Sequence, residues 1–258
     1  MRSLLPETHE PGLAEPGRLL TVVFPLTVYP VMILSIFVYY DFWLFMKSKE
    51  GGVEWLAIGC LLIGAVFGAR LLLRYRSLLP AKWLVVWFAL GTLGMVFLAG
   101  EEMSWGQHLG LWSGEDLPDS FQEINDQNET NIHNIVGFGN TIDRGSTNAV
   151  VIGTFFAFII LPLIQRMRGK LMPYSDPGYW FWPTKACFWA GMGVVIIMFP
   201  KRIYEAITGE TGSFDWRHSE IHEFYIAMLM LTYMVSAHAR LRDYASKQAA
   251  PADASEAA

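Results

Sequence analysis

Six long apolar runs constrain this chain more than any other feature of its sequence. They lie near 19–46, 53–75, 82–105, 147–166, 181–200 and 218–240. A helix of about 20 apolar residues crosses the ~30 Å hydrocarbon layer of a bilayer. Only 17% of the residues are charged, against about a quarter in soluble domains, which favours lipid over a soluble core. The sequence therefore predicts an all-α, polytopic membrane helix bundle with six transmembrane helices, with seven as the alternative.

Polar segments at the two ends of the chain flank this membrane domain. We expect an N-terminal tail at 1–18, a transmembrane domain at 19–242 and a disordered C-terminal tail at 243–258. The C-terminal tail is rich in alanine and small polar residues, which bury too little apolar surface to fold. No short apolar stretch with a small-residue cleavage site precedes the first run, so no signal peptide is expected.

The distribution of basic residues predicts the orientation of the chain, because lysine and arginine concentrate in cytoplasmic segments. With the N-terminus inside, thirteen of the nineteen basic residues lie in inner segments, and seventeen of the twenty-four acidic residues lie outside. We therefore expect both termini in the cytoplasm and the protein in a bacterial inner membrane. No basic surface indicates nucleic acid as a partner, and no Gly-rich loop indicates a nucleotide.

The third apolar run ends in an unusual concentration of ionisable residues, GEEMSWGQHLGLW at 100–112. If its helix continues through Gly106, then Glu101, Ser104 and His108 lie on one stripe, because residues three and four apart are neighbours. Glu102 points about a quarter turn aside. Ionisable side chains near a bilayer are costly, so this concentration predicts a functional site.

A second polar stripe is predicted at the start of the last run, in FDWRHSEIHEFY. His218 and His222 are four residues apart, and on a helix two such imidazoles can bind one metal ion. His108 is the expected third ligand and His133 the reserve. All four histidines fall at or beyond the outer face in the predicted topology, which favours a zinc ion (Zn²⁺) there. The alternative is that these histidines only hydrogen-bond lipid headgroups.

The predicted outer loop, 106–146, is long and polar. Carboxylates and amides are dense between 123 and 134, where Glu129 and His133 would align on a short helix. Loops of this length are usually functional. This one is expected to cap the site, to contribute Glu129 or His133 as a ligand, or to bind calcium, although its spacing does not match an EF-hand.

Several of these residues together resemble a known family. Ser104 and His108 form an SxxxH element, Asp119 follows, and His218 and His222 form HxxxH in the last run. This combination is similar to the alkaline ceramidases and the wider progestin/adipoQ receptor-like superfamily of membrane hydrolases. The resemblance implies His108, His218 and His222 as zinc ligands, with Ser104 and Asp119 close to the metal-bound water.

The same region departs from that family and resembles another group. The family has seven spans and carries SxxxH in the second, whereas here the element ends the third of six. The pattern EE-x-SWGQ followed by NETN-x-HN is also similar to a group of bacterial membrane proteins that have no assigned mechanism.

A zinc-dependent reaction would use these residues in defined roles. Zinc on three protein ligands lowers the pKa of a bound water to about 7. Glu101 or Glu102 would take its proton and return it to the leaving group, and Ser104 would donate a hydrogen bond to the oxyanion. The expected substrate is an amide or ester lipid entering from the outer leaflet, so the chain is expected to be a metal-dependent lipid hydrolase.

Other classes of function are compatible with the same residues. A proton- or ion-coupled transporter would use the glutamates and histidines to relay protons or bind a cation, although no carboxylate lies in the middle of a run. An accessory or sensor subunit of a membrane complex would use the polar cluster to bind a partner. A transmembrane haem pair is disfavoured, because both histidines of the last run lie at one face.

Overall fold

The computed structural model describes residues 8–47, 51–113, 118, 130, 149–209 and 218–249. Within these residues the regular structure is helical, with one isolated bridge between His9 and Met172, so the predicted all-α class is confirmed. The helices are α1 (Phe24–Val38), α2 (Tyr40–Lys47), α3 (Gly52–Tyr75), α4 (Lys82–Glu102), α5 (Leu161–Arg168), α6 (Pro177–Phe181), α7 (Phe188–Thr208) and α8 (His218–Ala249). Single π-helical segments, Leu19–Val23 and Phe156–Ile160, lead into α1 and α5.

Three helices in the described part of the chain are long and apolar enough to cross a membrane. They span Gly52–Leu78, Lys82–Glu102 and Glu220–Ala249, and correspond to the second, third and last apolar runs. Leu19–Met32 and Ala149–Gln165 form shorter apolar helices. The outward faces of α3 and α4 carry large apolar side chains that are more than half exposed, as lipid contact requires: Ile63, Leu73, Leu90 and Leu93.

The helix boundaries differ from the predicted ones at three places. The first run is not one helix, because Tyr39 leaves the helical conformation (φ −151°, ψ 85°) and Asp41 stands in the first turn of a new helix, where a carboxylate is favourable. The third run ends at Glu102 instead of continuing through Gly106. The last helix continues past 242 to Ala249; residues 250–258 lie outside the described part of the chain.

Small residues on α3 set the distances within the central bundle. α3 packs against both α4 and α8. A Cβ at Gly64 would lie 2.8 Å from the sulfur of Met95 on α4 and 3.2 Å from the backbone Cα of Leu231 on α8. A Cβ at Gly68, one turn later, would overlap the hydroxyl of Thr92. Small residues four apart let helix backbones approach closely, which is how helices associate where lipid offers no hydrophobic driving force.

The bundle has two chemically different ends because α3 and α8 run in one direction and α4 in the other. The starts of α3 and α8 and the end of α4 carry Glu54, Glu220, Glu101 and Glu102, and we call this the acidic end. At the opposite, aromatic end, α6 packs against the second half of α8. That end contains the aromatic side chains Tyr174, Tyr179, Trp180, Phe181, Tyr233 and Tyr244.

The aromatic end explains why α8 exceeds its predicted length. The ring of Tyr244 packs 5.7 Å from that of Trp180, so the last turns of the helix have a tertiary partner. Trp180 is fully buried, and the guanidinium of Arg240 lies over the rings of both Tyr179 and Trp180, at 5.2 and 5.6 Å. Cation–π contacts of this kind hold a buried cation among aromatic rings.

The segment 8–17 is not a free tail but crosses the aromatic end. The backbone N–H of Glu10 donates to Met172 O at 2.9 Å, and that of Met172 donates to Thr8 O at 3.0 Å. The N–H of Ala14 donates to the carboxylate of Asp243 on α8 at 3.0 Å. These bonds attach the start of the chain to both the α5–α6 connection and the end of α8.

His9 is a buried part of this attachment. Its Nε2 lies 3.2 Å from the carbonyl oxygen of Trp182, which can only accept, so Nε2 carries the proton and Nδ1 accepts from the Thr8 hydroxyl at 2.6 Å. Both nitrogens of the neutral ring are thereby used. Burial, and secondarily the charge of Arg240, lowers the pKa of His9 from 6.5 to about 3.

Replacing Gly68 by alanine should destabilise the bundle, because the new methyl group overlaps Thr92. We expect a loss of about 1–3 kcal/mol in the free energy of unfolding, measured in detergent by denaturant titration. Gly59→Ala is the matched control on the same helix, since a Cβ at Gly59 meets no atom within 4 Å. Equal stability of the two variants would contradict the proposed close approach of α3 and α4.

His9 should also make stability depend on pH. Because its pKa is lower in the folded chain, the unfolded chain binds the proton first, so stability is complete above about 6.5 and is lost as the pH falls toward 3. Between about pH 7 and about pH 5 the His9 contribution amounts to about 2 kcal/mol. Unfolding titrations of the wild type and His9→Asn at the two pH values should differ in their pH dependence by that amount. Identical dependence would show that His9 is not buried in its neutral form.

Candidate functional site

The acidic end gathers carboxylates from three different helices. Glu54 lies in the first turn of α3, Glu220 in the first turn of α8, and Glu101 and Glu102 in the last turn of α4. Glu54, Glu220 and Glu101 all interact electrostatically with Glu102. The end of the third run and the start of the last run therefore lie side by side. A site that both runs share requires this arrangement.

Several groups at this end are withdrawn from solvent. Glu101 is 5% exposed, His222 is 3% exposed, and Ser104 is fully buried. His222 stands in the second turn of α8 and follows Ile221, which belongs to the central core. A buried imidazole on α8 and a buried carboxylate on α4 thus lie at the same end of the bundle.

The helix dipoles stabilise two of the four carboxylates and destabilise the other two. Glu54 and Glu220 stand at helix N-termini, where a negative charge is stabilised by about 0.3–1 kcal/mol. Glu101 and Glu102 stand at the C-terminus of α4, where the dipole opposes a negative charge. The energetics of α4 alone therefore do not explain why Glu101 and Glu102, which we call the acidic pair, stand at its end.

The turn after α4 has a strained backbone. Ser104, Trp105 and Gly106 have φ values of 44°, 53° and 109°, a left-handed conformation that costs a non-glycine residue about 1–2 kcal/mol. The predicted stripe of Glu101, Ser104 and His108 is therefore wrong, since the helix ends at Glu102 and its periodicity does not reach Ser104 or His108. Strain of this kind persists where the surrounding structure holds it.

The strained turn folds Trp105 back over the end of α4. The indole Nε1 donates a hydrogen bond of 2.5 Å to Oε1 of Glu101. The ring packs where a side chain on Gly100 would stand, 2.8 Å from a Cβ built there, and meets Phe97 edge to face at 5.6 Å. The turn thus orients one carboxylate of the acidic pair.

Thr130, a residue of the predicted outer loop, contacts the same turn. Its hydroxyl donates to the carbonyl oxygen of Ser104, and its backbone N–H donates to Oε1 of Gln107 at 3.1 Å. The indole of Trp112 donates to the Thr130 hydroxyl at 3.3 Å. Thr130 is therefore attached to Ser104 and Gln107 of the turn.

The predicted site residues fall into two groups. Glu101 and Glu102 at the end of α4 and His222 near the start of α8 belong to the acidic end, while Ser104 lies in the turn. Asp119, Glu129 and His133 lie outside the described residues, and so do the side chains of His108 and His218. Within the described part of the chain, no three His, Cys, Asp or Glu side chains form a group able to hold a metal ion. The zinc site stays a prediction.

Sequence reasoning missed Glu54, Glu220 and Thr130 as neighbours of the site. A signal was present for the two glutamates, because each is a carboxylate at the start of an apolar run that the topology places at the same face as Glu101 and Glu102. No sequence signal identifies Thr130, whose role depends on a long-range contact.

Comparison with known proteins adds no assignment: no family model, no curated protein and no solved structure matches this chain. The functional argument therefore rests on the acidic end itself.

Proposed function

We propose that this chain is a six-span integral membrane protein of a bacterial inner membrane that hydrolyses a lipid amide or ester at the acidic end. The observation that carries the proposal is the electrostatic interaction of Glu102 with carboxylates from three helices, at the end of the bundle where the buried His222 also lies. The bias of basic residues supports an orientation with both termini in the cytoplasm and the acidic end outside.

The acidic pair supplies acid–base chemistry in this proposal. Glu102, within the field of three other carboxylates, takes a proton from the attacking water and returns it to the leaving amine or alcohol. The second carboxylate is that of Glu101, and the Trp105 indole fixes its position. A general acid–base group of this kind contributes about 10²–10⁴-fold to the rate.

Zinc is the metal that the histidine pattern fits. His222, with His108 and His218, would hold the ion, and Ser104 and Asp119 are the proposed supporting groups, with His133 in reserve. A zinc ion there would supply Lewis-acid activation of the water. The placement of His222 within the buried acidic end supports this assignment, since a histidine ligand needs a carboxylate or carbonyl nearby to orient it.

The proposed substrate is a membrane lipid, because the site lies at the ends of membrane-spanning helices. Glu54, Glu102 and Glu220 stand in the terminal turns of the three candidate spans, which is the depth of lipid headgroups and ester or amide linkages. The substrate would enter from the outer leaflet.

Proton- or cation-coupled transport is the second candidate, and one observation favours it. The carboxylates that interact with Glu102 belong to three helices, so relative movement of those helices would change how strongly a proton or cation is held. This candidate uses the acidic end without hydrolysis.

Replacing Glu102 by glutamine should separate these functions. With purified protein in liposomes containing amide and ester lipids, we expect release of fatty acid to fall by about 100-fold or more in Glu102→Gln, because the proton acceptor is lost. Asp41→Asn, an exposed carboxylate on α2, is the control and should keep full activity. Elemental analysis should find zinc in the wild type and a reduced content in His222→Ala.

The opposite results have clear meanings. Proton or cation flux that depends on Glu102, without lipid hydrolysis, would replace the hydrolase by the transporter. Hydrolysis that is unchanged in Glu102→Gln would remove this residue from the reaction. Absence of zinc from an active enzyme would contradict the metal assignment.

A further inference from the structure

The turn that follows α4 carries large apolar side chains on its surface. Leu109 and Leu111 are 53% and 67% exposed, and Trp105 is 41% exposed. We call these three side chains the apolar rim. A group of exposed apolar side chains at one place marks contact with an apolar partner or with a membrane.

The polar groups of the same turn are directed inward. Ser104 is fully buried, and its carbonyl oxygen accepts a hydrogen bond from the Thr130 hydroxyl. Oε1 of Gln107 accepts from the backbone N–H of Thr130 at 3.1 Å. A turn in water has the opposite arrangement, with its polar side chains exposed and its apolar ones covered. The inverted arrangement is favourable only where the surroundings of the turn are apolar.

Hydrogen bonds and close packing fix the shape of the turn. The backbone N–H of Gly106 donates to Met103 O at 2.9 Å, and that of Gly110 donates to Gln107 O at 2.9 Å. A Cβ at Gly106 would lie 2.8 Å from Cδ1 of Leu111 and 3.0 Å from the ring of Trp112. The absence of a side chain at Gly106 therefore lets Leu111 fold back against the turn. The rim is thus a built part of the fold and not the loose end of a helix.

The apolar rim continues the exposed apolar surface of α4. The ring of Trp105 meets that of Phe97 edge to face at 5.6 Å. Phe97 is 42% exposed, and Leu93, one turn earlier on α4, is 66% exposed. α4 is one of the helices long and apolar enough to cross a membrane. Because the exposed apolar surface passes from α4 to the turn through this ring contact, the lipid that surrounds α4 is the partner that fits the rim.

Trp105 connects the apolar rim to the acidic end. Its Nε1 donates a hydrogen bond of 2.5 Å to Oε1 of Glu101, while part of the residue stays exposed. Tryptophan is enriched where membranes meet water because its ring is apolar and its N–H is polar. A lipid chain that lies against the Trp105 ring is therefore within one indole ring of the Glu101 carboxylate.

We propose that the apolar rim lies in the outer leaflet and docks an acyl chain of the lipid substrate, so that the ester or amide linkage of that lipid stands beside Glu101. The immersion of the rim follows from the inverted turn. The docking of a substrate chain rests on the proposed function, because it assigns to the rim the route by which a lipid reaches the acidic end. The substrate class is therefore a lipid with a long acyl chain, since a short-chain ester lacks the part that the rim binds.

Spin labels test the immersion without a measurement of activity. In liposomes, and in a background where the two buried cysteines are replaced by alanine, a nitroxide on Leu109→Cys or Leu111→Cys collides with oxygen, which concentrates in lipid, or with a water-soluble nickel chelate. We expect the ratio of oxygen to nickel collisions at both positions to match that at Leu90→Cys, an exposed position within α4. The ratio should exceed severalfold that at Lys170→Cys, an exposed position outside the candidate spans. More collisions with nickel than with oxygen at 109 and 111, or protection from both reagents, would overturn the proposal, because the rim would then face water or protein.

Hydrolysis of lipids with different chain lengths tests the docking. The double variant Leu109→Asn/Leu111→Asn should raise KM for a long-chain lipid by about tenfold with kcat little changed, because apolar contacts with the chain are lost. KM for a short-chain ester should be the same as in the wild type. Leu109→Met/Leu111→Met, which keeps the rim apolar, is the matched control and should keep the wild-type KM for both substrates.

The results of these two tests can be told apart. An unchanged KM for the long-chain lipid in the asparagine variant, or a loss that falls on kcat alone, would overturn the docking. A wild type that hydrolyses no lipid, with both spin labels in lipid, would remove the proposed hydrolase and support the immersion of the rim.

Discussion

The close approach of α3 to its two neighbours is the constraint on which the rest of the structure depends. Apolar helices in lipid gain little from burying apolar surface against each other, so they associate through close packing. Gly64 and Gly68 allow α4 and α8 to approach α3 to distances at which a single methyl group would overlap a neighbour. This geometry places the start of α3, the end of α4 and the start of α8 at one level, and the glutamates at those ends meet as a result.

The two ends of the bundle balance charge in different ways. At the aromatic end a buried arginine is held by carbonyl, carboxylate and aromatic partners, and a folded-back N-terminal segment covers it. At the acidic end the like charges of Glu54, Glu101, Glu102 and Glu220 interact within a small space. Carboxylates that interact across helices in this way are groups that acid–base chemistry or transport can use.

The sequence predicted the helical class because apolar periodicity and length are local properties, as in 53–75 and 82–105. It also predicted that polar groups near Glu101 and His222 would share one end, since helix direction follows from counting spans. It did not predict the end of α4 at Glu102, because left-handed φ angles at Ser104 and Trp105 are imposed by tertiary contacts. The attachment of Thr130 to the same turn is a long-range contact with no local signal.

At the aromatic end, too, the sequence does not reveal which residues are buried by contacts between distant parts of the chain. His9 reads as an incidental residue of a polar tail, yet it is buried against Tyr179 and uses both ring nitrogens. The burial arises because the segment 8–17 pairs with Met172 and α8, which are far away in the chain. Arg240 likewise reads as one positive charge among several at a helix end, whereas its burial by Tyr179 and Trp180 is apparent only in three dimensions.

Cysteine cross-linking between helices tests the central claim, the convergence of carboxylates from α3, α4 and α8, most directly. In a background where the buried Cys60 and Cys187 are replaced by alanine, cysteines at Glu54 and Glu220 should be joined efficiently by a short bis-maleimide. Cysteines at Glu54 and Lys82, at opposite ends of neighbouring helices, should not be joined. Cross-linking of 54 to 82 but not to 220 in the folded protein would contradict the arrangement and the function proposed for it.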